Sequence, residues 1–184
     1  MNVLSDVLAE DLDVVFCGTA AGNESARRKA YYAGPGNSFW ATLFRVGLTP
    51  QQLEPEQYEH LQCFRLGLTD LAKHTSGSDR DLLASDFDCK GLRKKILNYR
   101  PRILAFTSKR AAEEFLGREV GYGLLPDKIG DTALFVLPSP SGAARRYWSE
   151  QPWQRLARLK DALADERASN VAFERDASTR PSSA

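Results

Sequence analysis

Residues 14–40 read VVFCGTAAGNESARRKAYYAGPGNSFW, and this stretch decides the fold. A run of β-formers ends at Cys17, Gly18 and Gly22 bracket what reads as a tight turn, and Asn23 is placed to cap the segment after it. An unbroken apolar run of this kind is a strand buried on both faces. Its carboxyl end opens into a glycine-bracketed loop, which in an α/β sheet is where ligands bind. Further on, Tyr31 and Tyr32 precede Gly34, Pro35 and Gly36, a sharp turn, and Asn37, Ser38, Phe39 and Trp40 then open an apolar helix. The expected product is a glycine-lined pocket with an aromatic lid.

Outward from this stretch the chain alternates. Strands are expected at 12–17, 64–71, 102–106 and 132–137. Helices are expected at 39–46, 87–99, from Thr107 or Ser108 through Phe115, and at 153–163. A short lead-in helix at 1–11 and a polar surface helix at 51–61 complete the set, and 121–131 reads as a glycine-rich connection. This order predicts a three-layer α/β/α sandwich around a central, mainly parallel four-stranded sheet. Residues 1–165 form one domain, and 166–184 are too polar and small to order themselves, so they are expected to be a disordered tail.

Lysine and arginine total 25 against 24 acidic residues, a net charge of +1, so no global field draws the chain to nucleic acid. The cations are clustered instead: Arg27, Arg28 and Lys29, then Arg93, Lys94 and Lys95, then Arg145 and Arg146. Three scattered cysteines and two histidines argue against a zinc site, an iron–sulfur cluster or a disulfide framework, and no cofactor is expected. The acidic N-terminus and the lack of a long apolar run predict a soluble, cytoplasmic protein with no membrane partner.

Two loops carry a resemblance. The 14–40 stretch resembles the first motif of the mismatch-specific uracil-DNA glycosylases and their thymine-DNA glycosylase relatives, in which a strand runs into Gly-Ile-Asn-Pro-Gly and later into Pro-Gly-Asn-x-Phe-Trp. Residues 138–146, Pro-Ser-Pro-Ser-Gly-Ala-Ala-Arg-Arg, are similar to the family's second motif, Leu-Pro-Asn-Pro-Ser-Gly or Met-Pro-Ser-Ser-Ser-Ala. Between them Gly67-Leu68-Thr69-Asp70-Leu71 matches a third strand pattern, with Asp70 at its variable place. The resemblance implies a monomeric DNA-repair glycosylase acting on uracil-containing DNA, single- or double-stranded, with the second loop entering the duplex where a base has been turned out. The family's water-holding Asn is absent: this chain has Ala20 there.

The chemistry then needs other groups. Backbone N–H groups around Gly18, Thr19, Ala20 and Ala21 can donate to the base carbonyl on which charge grows as the glycosidic bond breaks. Tyr32 stands where the family stacks a Phe on uracil, and Asn37 braces the turn. Ser139, Ser141, Gly142, Ala143, Ala144, Arg145 and Arg146 make the DNA-contacting loop, the small residues or an arginine entering the gap. To align water, Asp70 is the first candidate, ionised at neutral pH if its pKa is ordinary, with Asn23 and Glu24 behind it. The alternatives are a protein that binds mismatched or abasic DNA without hydrolysis, and a glycosylase for the deaminated purines hypoxanthine and xanthine.

Overall fold

The computed structural model describes residues 1–178, with side chains through Glu166. Strand β1 is Val14–Ala21, β2 Leu66–Ser76, β3 Ile103–Phe106, β4 Gly123–Ile129 and β5 Thr132–Val136. They form one sheet in the order β2-β1-β3-β5-β4, parallel throughout except for β4, which pairs antiparallel with β5. The helices are α1 Asn23–Arg28, α2 Phe39–Arg45, α3 Cys89–Tyr99, α4 Lys109–Leu116 and α5 Gln151–Ser178.

The sheet divides the core by strand parity. Val14 and Phe16 of β1 pack with Phe39, Trp40 and Leu43 of α2 and Trp153 and Leu156 of α5. Val15 and Cys17 face the other way, against Leu92 and Ile96 of α3 and Ala111, Ala112 and Phe115 of α4. Both faces are covered by helices, as a buried parallel sheet requires. Helix α4 starts where the Ser108 hydroxyl accepts from the Ala111 N–H at 3.1 Å, and it ends at Gly117, φ +69°.

Four expectations are corrected. The sheet has five strands because 123–129 is an edge strand; Pro126 lies in the interval where the pairing with β5 is irregular, a place where a strand tolerates proline. Residues 1–11 are not a helix. Val7 instead exchanges two hydrogen bonds with Leu68, 2.8 and 3.0 Å, and so satisfies part of the open edge of β2. The 51–61 segment is a 3-10 helix at Pro55–Phe64. Strand β1 does not turn at Gly18 but pairs with β2 through Ala20. The tail expected at 166–184 overlaps α5 as far as Ser178, and residues 179–184 lie outside the described residues.

Gly67 shows how tightly the Val7 segment is seated. A Cβ there would lie 2.5 Å from the Val7 carbonyl oxygen and 2.6 Å from Leu12 Cδ1. Gly67→Ala is expected to cost about 2 kcal/mol by overpacking, read as a lowered urea midpoint at unchanged slope.

Candidate active site

Strand β1 has β3 beside it only as far as Cys17, which pairs with Phe106. Beyond that point residues 18–21 keep β2 on one side and present a backbone edge without a strand partner on the other. This edge lines a cleft of about 680 Å³. Its walls are Tyr31 and Tyr32, the 77–80 loop, Thr107 and Ser108 after β3, and the segment following β5. The position at the carboxyl ends of parallel strands is the one a doubly covered sheet leaves for ligands.

Asp70 lies on the cleft floor. The register places it directly beside Gly18, and paired residues of parallel strands share a face, so its carboxylate leans over the space that Gly18 leaves empty. A Cβ on Gly18 would be 2.6 Å from Asp70 Oδ1, 3.5 Å from the Tyr32 hydroxyl and 3.7 Å from Thr107 Oγ1. Asp70 is 5% exposed, and none of the hydrogen bonds among the described residues reaches its carboxylate. Burial pushes its pKa up to about 6; the positive charge of Lys73 opposes the rise, Asp6 reinforces it and Lys95 opposes it. Its ionisation therefore departs from the ordinary value expected from sequence.

Near Asp70 is an ionic cluster that sequence reading missed, built on the buried Lys73 and the half-buried Asp6. Lys73 Nζ lies 2.7 Å from Asp6 and donates to the Tyr31 hydroxyl at 3.0 Å, while Lys95 reaches Asp6 at 2.6 Å. Thr69 Oγ1 donates to Asp6 at 2.7 Å. Asp6 comes from the N-terminal segment that the Val7 bridge holds against β2, so no local sequence spacing could have joined it to Lys73.

Tyr32 has a left-handed backbone, φ +53°, which turns its ring back onto Phe39 at 3.8 Å and 16° between planes. One ring face is thus taken, and a base can stack only on the opposite one. The Thr107 hydroxyl lies 3.4 Å from the Cys17 carbonyl, to which it donates, leaving it to accept from Tyr32 at 3.1 Å. Of the two residues expected to open α4, Thr107 or Ser108, Ser108 is the cap, and Thr107 lines the cleft. Asn37 lines the cleft and braces the start of α2, its Oδ1 accepting from the Phe39 N–H at 2.9 Å.

The remaining first-motif residues sort by their contacts. Thr19 donates to Asp79 at 2.6 Å, which ties β1 to the 77–80 loop, and Arg110 donates to the Asp79 carbonyl at 2.8 Å. Asn23 does not cap: Gly22 is the N-cap of α1, and Asn23 is its first residue, exposed at the cleft rim. Glu24 is engaged with Arg27 at 2.5 Å. Ala20 and Ala21 offer only methyl groups and backbone.

The second loop meets the first. Ser38 donates to the Pro140 carbonyl from both its N–H, 2.9 Å, and its hydroxyl, 3.3 Å. Gly142 packs so closely that a Cβ would be 3.0 Å from the Pro35 carbonyl, and Arg145 Nη2 would be 3.0 Å from a Cβ on Gly36. Ser139 Oγ accepts from Ser141 N–H at 3.3 Å, and Ser141 Oγ accepts from Ala143 N–H at 3.3 Å, starting a 3-10 helix at Gly142–Tyr147. Ala143, Arg145 and Arg146 are exposed and Ala144 is half-buried. Among the described residues no helix is long and apolar enough to cross a membrane, and no group of three His, Cys, Asp or Glu is placed to hold a metal ion.

Comparison with known proteins agrees with this geometry. The solution NMR structure of a candidate uracil DNA glycosylase from Methanosarcina acetivorans is similar at 25% identity and a TM-score of 0.58, covering 86% of this chain and 96% of that one. The model of the uracil DNA glycosylase superfamily matches residues 5–163, from the Asp6 segment through the start of α5. That span takes in the sheet and both loops of the cleft, and the chain belongs to the uracil DNA glycosylase superfamily, a family of DNA glycosylases.

Proposed function

We propose that the protein is a monofunctional glycosylase that hydrolyses the N-glycosidic bond of uracil in DNA, with Asp70 as the group that handles water. The observation that carries this reading is the buried Asp70 carboxylate, without a hydrogen bond among the described residues, on the cleft floor beside the edge of β1 that β3 leaves uncovered. The turned-out uracil stacks on the open face of Tyr32. Backbone N–H groups of the β1 edge donate to its carbonyl oxygen. As the C1′–N bond breaks, its electron pair leaves with uracil, and the sugar develops positive charge that the carboxylate stabilises. Water aligned by Asp70 forms the new C1′–O bond, and Asp70 accepts the released proton. The base departs as the uracil anion and takes up a proton from solvent, so that uracil and an abasic strand are the products, and Asp70 returns its proton to solvent. No lysine lines the cleft among the described residues, and Lys73 is engaged by Asp6 and Tyr31, so no amine is offered for strand-cleaving imine chemistry.

Ala20, at the place of the family's water-holding Asn, favours a second reading: a protein that binds mismatched or abasic DNA without hydrolysis. The test is single-turnover incubation of labelled DNA with one uracil, single-stranded or opposite guanine or adenine, followed by alkali. The expected result is an alkali-labile site at uracil. No cleavage with stoichiometric protein, accompanied by tight binding to abasic duplex, supports the second reading. Parallel hypoxanthine and xanthine substrates test the deaminated-purine alternative.

A further inference from the structure

The ionic cluster near Asp70 is unbalanced by itself. One carboxylate serves two ammonium groups: Asp6 lies 2.7 Å from Lys73 Nζ and 2.6 Å from Lys95 Nζ. Thr69 and Tyr31 contribute hydroxyls to it but no charge. The cluster is therefore left with one excess positive charge, and it balances when the buried Asp70 beside it is a carboxylate. Lys95 is 31% exposed and shares its charge with water, whereas Lys73 is 5% exposed and does not.

The architecture does not depend on the Lys73 ammonium. The N-terminal segment is tied to β2 through the backbone: the Val3 N–H donates to the Lys73 carbonyl at 2.8 Å, and Val7 and Leu68 exchange two bonds. Those bonds form with any side chain at position 73. A buried ion pair is also a weak source of stability, because desolvation of the two charges offsets much of their attraction. What the side chain does achieve is to fix a cation in place. Its Nζ is held between Asp6 and the hydroxyl of Tyr31, a residue that lines the cleft. In an interior of low dielectric such a charge acts over several ångströms on a carboxylate without a partner of its own.

The groups that bear on Asp70 come from each element around it. Lys73 of β2 and Lys95 of α3 favour its ionised form, and Asp6 of the N-terminal segment disfavours it. Tyr31, Tyr32 and Cys17 lie in the same field, but burial pushes all three well above their ordinary values, so they stay neutral. We propose that Lys73 is a positioning residue that keeps Asp70 in its carboxylate form, with Asp6 as its counterweight, so that the N-terminal segment sets the pH at which the cleft becomes active. This rests on the reading of Asp70 as the group that handles water. The arrangement has a signature that packing alone lacks: removal of the cation and removal of the anion shift the ionisation of Asp70 in opposite directions.

The experiment follows single-turnover uracil release from single-stranded DNA against pH for wild type, Lys73→Met, Lys73→Arg, Lys95→Met and Asp6→Asn. Lys73→Met is expected to move the rising limb up by about one pH unit, which lowers the rate about fivefold at pH 6 and leaves the plateau at pH 9 unchanged. Lys95→Met, which removes a more exposed charge, is expected to move it the same way by less. Asp6→Asn is expected to move it down, and Lys73→Arg to restore the wild-type position. An unmoved limb in Lys73→Met, a uniform loss at every pH, or shifts of the same sign in Lys73→Met and Asp6→Asn overturns the proposal. Asp6→Asn leaves two ammonium groups without their carboxylate and can fail to fold; a downward shift in Lys95→Met then overturns the proposal in its place. A second measurement uses no turnover: the carbon NMR titration of the Asp70 carboxyl, identified by its absence from Asp70→Asn. The same directions are expected, and a titration unmoved in Lys73→Met overturns the proposal. If wild type releases no uracil, or its limb survives in Asp70→Asn, the reading of Asp70 fails while this titration still decides on Lys73.

Discussion

Asp70→Asn is expected to lower the single-turnover rate on uracil DNA by about a thousandfold, within the range of about 10²–10⁴ associated with a positioned general base, while leaving duplex affinity unchanged. The amide has the size of the carboxylate but neither its charge nor its capacity to take a proton. The same substitution is expected to stabilise the fold at neutral pH. Burial holds the Asp70 pKa above its ordinary 3.8, at about 6, so the folded protein binds this proton more tightly than the unfolded chain does. The group's favourable contribution is complete below about pH 4 and is lost as pH rises through about 6. The ionised side chain then costs the fold about 3 kcal/mol relative to its protonated form. An Asn has no charge to bury, but its amide still lacks partners, and a net gain of about 1–2 kcal/mol is expected. Loss of rate together with a raised urea midpoint at pH 8 distinguishes a strained functional group from a structural one. An unchanged rate removes Asp70 from the chemistry.

Gly18→Ala is expected to lower the rate by about a hundredfold without abolishing DNA binding. Gly18 has no positive φ, so alanine meets no backbone penalty; the conflict is between its Cβ and Asp70 Oδ1, 2.6 Å apart. Both residues lie on paired strands that cannot separate without breaking the sheet, so the carboxylate has to swing aside. Displacement of a catalytic group by about 1 Å is enough for an effect of this size. Gly121→Ala, at a position with nothing within 4 Å of a new Cβ and outside the cleft, is the matched control and is expected to turn over normally. Full activity in Gly18→Ala contradicts the placement of Asp70 at the reacting centre.

Much of the frame was legible because it rests on local signals. The apolar runs of β1, β3 and β5, the Ser108 cap and the Gly117 stop of α4 each encode their element within a few residues. Strands that all end in unusual loops also implied that those loops share one edge, and Ser38 and Pro140 do join across it. Strand β4 was missed because Pro126 and its flanking glycines are turn signals everywhere except on an irregular edge. The N-terminal segment was misread because its amphipathic pattern serves an edge bridge to Leu68, a partner 61 positions away. For the site, the types of residue were visible but their relations were not. That Asp70 sits beside Gly18 depends on strand register, and that it is buried with Lys73 and Asp6 near it depends on a segment far off in sequence. Thr107, and the 77–80 loop that holds Thr19 through Asp79, became part of the cleft only once β2 and β3 were placed on either side of β1.

The most direct measurement is the pH dependence of single-turnover uracil release from pH 5 to pH 9, for wild type and Asp70→Asn on the same single-stranded substrate. Because the carboxylate form is the active one, the wild-type rate is expected to rise through about pH 6 and to level off above pH 7, while Asp70→Asn runs far below it with that limb gone. A substituted enzyme that keeps both the wild-type rate and the wild-type limb would contradict the account.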